Sequence, residues 1–220
     1  MEISKIKNHL LCYLTPFASK HGLKVVKSRF CLKREDENNE FQFSFDYNSW
    51  GDEIHLFPYV QIKNKIIHHV CKVNGFHLNY TAFINLLILN KIYNGDYTDD
   101  TKWEMQYNRQ DRFVIFNENN LKNAEQRMEK LLPIGLNYLE SYANIYAIDK
   151  MYNIPPLDRQ NPNCSGLDTQ CIIGLISAKI SNNVNYDNIC EQYSDLIHSN
   201  DLLPATVSKF DSIKEYLNKL

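Results

Sequence analysis

Glycine is scarce here, seven residues in a chain of 220, and none falls in a GxxxxGK[ST] or GxGxxG run. Without those turns, the backbone amides that cradle phosphates in P-loop and dinucleotide-binding proteins have no sequence counterpart. The GxSxG nucleophile elbow and the HExxH zinc helix are missing too. Six cysteines are present (Cys12, Cys31, Cys71, Cys164, Cys171, Cys190), but no CxxC pair. A chain of this length builds a core without metal or disulfide staples, so these residues read as small buried thiols in a reducing compartment. No run of five like charges occurs, and the net charge is −2 with a pI near 6.4. That balance gives no basic footprint for nucleic acid and no acidic tail. Long apolar runs are also lacking: the densest, Phe83–Leu89, is about half of the roughly 18 residues of a membrane span. Leu10–Leu14 is too short for a signal-peptide core, and Leu11-Cys12 lacks the small residue before a lipoprotein cysteine. The expectation is a cytoplasmic protein that binds neither membrane nor nucleic acid; the oligomeric state is left open.

What is present is ordinary globular material, 44% hydrophobic and 23% charged, with 14 tyrosines against two tryptophans. Ile3, Ile6, Leu10, Leu14 and Phe17 recur at helical spacing, which predicts a helix over Ser4–His21, stopped by Gly22 and kinked or broken by Pro16. Three period-two runs follow: Val25–Lys33, Glu40–Asn48 and Ile54–Lys63. The middle one alternates strictly, Phe41, Phe43, Phe45 and Tyr47 against Gln42, Ser44, Asp46 and Asn48. Polar and turn-like joins make the three a meander with one buried face. Pro58 cannot donate to a ladder, which predicts that the third strand is an edge or is bulged there. Lys65–Val73 fits either helix or strand, with helix preferred. Thr81–Tyr93 is apolar nearly all round and reads as a buried helix. Trp103–Asn108 and Arg112–Phe116 read as a second hairpin.

From Asn119 the strand signal stops. Helices are predicted over Leu121–Tyr142 (kinked at Pro133), Asn144–Tyr152, Leu167–Ile180, Tyr186–His198 and Ala205–Leu220, with a loop at Leu157–Gly166. Asn185 and Pro204 are start signals for the last two. Segregated strands and helices predict an α+β fold: one domain over 1–220, its sheet in 1–118 and its helical part in 119–220.

The candidates for chemistry are scattered. His68, His69, Cys71 and His77 are zinc-ligand types, but two neighbours on a helix point about 100° apart, so the expectation is no bound metal and no cofactor. Cys164 precedes a helix, where a thiol is acidified, yet no motif supplies a base; Ser165 or Asp168 capping the helix accounts for the same residues. Asp96, Asp99 and Asp100 lack the spacing of a calcium loop. Arg109 and Arg112 flank the second hairpin's turn and read as solvated charges, although arginine forks also grip phosphate or carboxylate. No catalytic residue is assigned.

The face of the meander opposite the phenylalanines carries Lys27 and Arg29, then Gln42, Ser44 and Asp46, then His55, Phe57 and Tyr59. Either helices cover that side, or Arg29, His55, Phe57 and Tyr59 form a mixed aromatic and polar binding surface of hot-spot composition. The opening helix, the run HGLKVVKSRFCLKRE (His21–Glu35), the strand FQFSFDYNS (Phe41–Ser49) and the third strand together resemble small bacterial domains of unknown function, some associated with toxin immunity. The likeness covers about the first third of the chain and implies a non-catalytic binding role with no residue assignments. The expected function is thus a soluble, non-catalytic interaction protein, immunity-like, that recognises another protein or a small ligand. The alternative is a hydrolase-type enzyme with a site assembled from dispersed His, Cys and Asp residues.

Overall fold

The structure, a computed structural model, describes residues 2–97, 112–159, 161–200 and 202–220. Its elements are α1 (Ile3–Lys20), β1 (Lys24–Val26), β2 (Cys31–Glu35), β3 (Asn39–Trp50), β4 (Glu53–Asn64), α2 (Lys65–Val73), β5 (Ala82–Asn85), α3 (Leu86–Asn94) and β6 (Phe113–Ile115), then α4 (Glu118–Ser141), α5 (Ile145–Tyr152), α6 (Leu167–Ile180), α7 (Tyr186–Ser199) and α8 (Pro204–Leu217). The fold is α+β, a six-stranded antiparallel sheet with a helical C-terminal part. The chain forms two compact units: Met1–Asp36, Glu40–Gln61 and Phe83–Glu140, and Glu37–Asn39, Ile62–Ala82 and Ser141–Leu220. Helix α4 thus belongs almost wholly with the sheet-bearing unit.

The meander is modified at its start. The run Val25–Lys33 is not one strand but two, β1 and β2, which pair antiparallel with Lys24 opposite Lys33 and Val26 opposite Cys31. A 3₁₀ turn over Lys27–Arg29 joins them, and Phe30 adopts a left-handed conformation at φ 49°. That conformation costs a non-glycine residue about 1–2 kcal/mol. Burial of the Phe30 ring, 5.3 Å from that of Phe45, offsets it. Arg29 therefore sits in a turn and not on the sheet face.

β3 and β4 form a long hairpin closed by Gly51 (φ 58°) and Asp52. The alternation of β3 holds for Phe41, Phe43 and Phe45, all buried, while Tyr47 is 39% exposed where the hairpin runs past the core. Lys7 covers the Tyr47 ring at 3.9 Å. Strand β4 is not an edge. It pairs with β3 on one side and with both short strands on the other. Residues Ile54–Leu56 take β6, and the Ile62 carbonyl accepts from Thr81 N–H just before β5. Pro58 lies between those two pairings, where a missing donor disturbs least.

Helix α1 continues through Pro16 without a break. The carbonyl freed by proline is that of Cys12, on the exposed side where water can bond it. Ile6, Leu10, Leu11, Leu14 and Ala18 form its buried stripe. The ambiguous Lys65–Val73 is helical (α2), capped by Asn64, whose Oδ1 accepts from Ile67 N–H at 3.1 Å. Thr81–Tyr93 is strand first and helix second: Ala82 and Ile84 are buried on one side of β5, and Asn85 caps α3 by accepting from Leu87 N–H at 2.8 Å. Of the second hairpin, Trp103–Asn108 lies outside the described residues, and the later strand, β6, pairs with β4.

In the second unit α6 is buried all round from Gln170 to Ala178 and packs against α2, α5, α7 and α8. It is a central helix and not the amphipathic one its spacing predicts. A hydrogen-bonded set of polar residues crosses this core. Tyr193 Oη donates to the Tyr152 carbonyl or Asn153 Oδ1, each at 2.9 Å. Asn153 Nδ2 donates to Asp149 Oδ1 at 2.6 Å and to the Gly174 carbonyl at 2.9 Å, and Asn183 Nδ2 donates to Asp149 Oδ2 at 2.8 Å. Burial drives the Tyr193 hydroxyl pKa far above its ordinary value.

Candidate functional site

Period two puts His55, Phe57 and Tyr59 on the side of β4 opposite Ile54, Leu56 and Val60, which are in the core. The structure brings these three together on one face and leaves Arg29, exposed in its 3₁₀ turn, out of the row. The three differ in exposure. His55 is 1% exposed, while Phe57 and Tyr59 are half-buried.

His55 is buried because the end of the hairpin covers it. Trp50 lies over the imidazole, centroids 5.0 Å apart, and His55 Nε2 is 3.0 Å from Glu53 Oε2. Val114 of β6 is the cross-strand neighbour of His55. The Arg112 guanidinium sits 5.2 Å from the Trp50 ring centroid. Trp50 itself is 60% exposed. A large aromatic is thus held against an imidazole tilted 40° to it and a guanidinium, with much of its surface open.

Further along the face, Tyr59 meets the Phe83 ring edge-on at 6.2 Å. Asn85 spends its oxygen on the α3 cap. Burial and then the Asp46 charge raise the Tyr59 pKa, and the neighbouring Asn85 side chain partly opposes them. Asp46 is exposed as a residue, yet surrounding groups crowd its carboxyl and hold its pKa up by desolvation. Gln42 Nε2 donates to Gln61 Oε1 at 3.0 Å across β3 and β4. The result is a mixed surface: one open indole, three half-buried rings and a carboxylate.

The other sequence candidates are dispersed. His69 and His77 are exposed, and Cys71 is buried with its thiol pKa pushed up to about 12 by desolvation. Among the described residues no group of three or more His, Cys, Asp or Glu is placed to hold a metal ion. Cys164 is buried in its loop, its Sγ donating to the Asn161 carbonyl at 3.3 Å. The N-cap of α6 is Gly166, without a side-chain cap, and Asp168 accepts from Thr169 N–H. Asp96 is exposed, whereas Asp99, Asp100 and Arg109 lie outside the described residues. Among the described residues no helix is long and apolar enough to cross a membrane.

Comparison with known proteins returns no matching family model, no similar curated sequence and no similar solved structure. Sequence reasoning missed Trp50, Glu53, Phe83 and Asn85. Trp50 falls in the turn-like join between the second and third period-two runs, and a bulky aromatic at a hairpin end, where no core can receive it, was the signal available.

Proposed function

We propose that this is a non-catalytic interaction protein that recognises another protein through the sheet face around Trp50, Phe57 and Tyr59. The observation that carries the reading is Trp50, 60% exposed yet fixed by His55 beneath and Arg112 beside it. An aromatic already immobilised loses little entropy on binding, and tryptophan is the residue most enriched among interface anchors. The half-buried Phe57, Tyr59 and Phe83 extend the apolar area, and Asp46 gives it a polar border, the usual anatomy of an interface. An immunity-type role, in which one protein occludes another, accords with such a surface.

The test is capture of partners from lysate by the wild-type protein, Trp50→Ala and Phe57→Ala, with thermal melts of all three. Trp50→Ala should leave folding nearly unchanged and weaken a captured complex by about 2 kcal/mol or more, the range of anchors. A complex indifferent to both substitutions would refute the assignment of this face. So would a large fall in the Trp50→Ala melting temperature.

A further inference from the structure

The face of β3 and β4 that carries Trp50 also holds one carboxyl among rings. The turn at Gly51 and Asp52 sets Trp50 opposite Glu53, and the Gln42–Gln61 bond shows the same register further along the hairpin. Asp46 is therefore the cross-strand neighbour of Phe57 and lies diagonal to Tyr59, on the same diagonal that brings Trp50 to His55. The Asp46 charge reaches the Tyr59 hydroxyl, whose pKa it helps to raise, and Tyr59 meets Phe83 edge-on.

Asp46 is open to an incoming group, because the residue is exposed. It is also uncompensated. Among the described residues it has neither an ion pair nor a hydrogen bond, and desolvation is what raises its pKa, with no cation pulling the other way. The nearest candidates are spent elsewhere: Lys7 lies over the Tyr47 ring, Lys33 pairs with Glu40 at 2.7 Å, and Arg112 is buried against Trp50. Arg29, exposed in its 3₁₀ turn, does not act on it. Over residues 39–64 as a whole, Glu40, Asp46, Asp52 and Glu53 stand against Lys63 alone among lysines and arginines.

A partner seated on Trp50 and Phe57 strips the remaining water from the Asp46 carboxylate. Burying that charge without a counterion is strongly unfavourable, so the partner must bring a cation with it. The surroundings select which one. A guanidinium is planar and weakly hydrated, stacks on aromatic faces and matches a carboxylate with two parallel N–H groups, whereas an ammonium is a compact, strongly hydrated point charge.

We propose that the partner docks through an arginine, its guanidinium donating two N–H bonds to the Asp46 carboxylate and lying on the Phe57 and Tyr59 rings. The proposal rests on the reading of this face as a docking surface and adds the chemistry that its partner must present.

The probe is a phage-displayed library of random peptides panned on the intact protein. The enriched sequence is then synthesised with arginine and with citrulline, which keeps the shape and loses the charge, and both forms are titrated by fluorescence anisotropy. Enriched sequences should carry arginine beside an apolar residue. Citrulline should weaken binding at least about tenfold, and Asp46→Asn should weaken the arginine form as much. On Asp46→Asn the two peptides should bind within about twofold of each other, because the groups that meet are coupled. Asp46→Asn removes a crowded charge and keeps its shape, so its melting temperature should be unchanged or higher; the citrulline exchange leaves the protein untouched in any case. Enrichment without arginine, no enrichment, or equal affinity of the two peptides for the wild-type protein overturns the proposal. Trp50→Ala separates it from the reading beneath. Peptides weakened by Trp50→Ala and indifferent to Asp46→Asn overturn the arginine contact and uphold the face, while peptides indifferent to both overturn the two together.

Discussion

Gly174 sits in the middle of α6, and replacing it with alanine sets two effects of opposite sign against each other. Helix propensity alone favours Ala over Gly by about 0.8–1 kcal/mol in a helix interior. The surroundings oppose it. A Cβ there would lie 2.5 Å from Tyr193 Oη, 2.6 Å from Tyr193 Cε2 and 2.8 Å from Asn153 Oδ1. None of these atoms is the loose end of a side chain. Tyr193 is fully buried and its hydroxyl is bonded within the α5 end, while Asn153 is tied to both Asp149 and the Gly174 carbonyl. Relief therefore requires α6 and α7 to separate or the polar set to break. Overpacking of this kind costs about 1–3 kcal/mol, and each buried polar group left unpaired costs about 1–3 kcal/mol more. After subtracting the propensity gain, Gly174→Ala should destabilise by about 1–5 kcal/mol. Urea unfolding followed by far-UV circular dichroism measures it. The same substitution in a Tyr193→Phe background should cost at least about 1 kcal/mol less, since the closest clashing atom is gone. A neutral or stabilising Gly174→Ala would refute the reasoning, because propensity would then have outweighed packing.

Phe43 is fully buried between sheet and helices, so Phe43→Ala should cost about 3–5 kcal/mol in a denaturant melt. Ser44 Oγ is buried without a hydrogen-bond partner, so Ser44→Ala should be neutral or stabilising by up to about 1 kcal/mol; a loss comparable to that of Phe43→Ala would show the register to be inverted. Cys12 is the exposed thiol and the other five are buried, so a colorimetric thiol reagent should label one group quickly in the native protein and the rest only on unfolding. Burial pushes the Cys71 and Cys171 thiols up to about 12. In the unfolded chain they ionise from about pH 8.5, so above that pH the unfolded state releases protons that the fold retains. Stability should therefore fall as pH rises from about 8.5 towards 12, by up to about 1.4 kcal/mol per unit for each thiol, and Cys71→Ala should flatten the slope of urea midpoints against pH.

The sheet was legible in sequence wherever one physical effect dominated. Strict alternation from Phe41 to Phe45 can satisfy only a strand with one buried face, and those three residues are buried. The reading failed where two effects gave the same pattern. Period two continues through Val25–Lys33 although the chain reverses inside it, because the left-handed turn at Phe30 leaves hydrophobic spacing almost untouched. Thr81–Tyr93 looked uniformly apolar since a short strand and a buried helix abut with only Asn85 between them. In the candidate site, the row of His55, Phe57 and Tyr59 followed from spacing on one strand. The Arg112–Trp50 contact did not, because its members come from different elements and only tertiary pairing of β6 with β4 brings them together.

The way β4 is shared has a bearing on solubility. The segment FQFSFDY, rich in aromatics and without proline, has the composition of a strand that recruits copies of itself into fibrils. In the fold its Phe41–Ser44 stretch pairs with β2 on one edge, and the strand pairs with β4 on the other. Among the described residues the short strands of the sheet are β1 with three residues, β5 with four and β6 with three. None of them is long enough to template a foreign strand over more than a couple of hydrogen-bonded pairs. Two short strands laid end to end along β4 protect its backbone as one long strand would, without offering an equally long free edge in turn. Loosening β6 would remove that protection and expose the first half of β4, so damage to the β6–β4 pairing should show itself first as self-association and only later as lost binding.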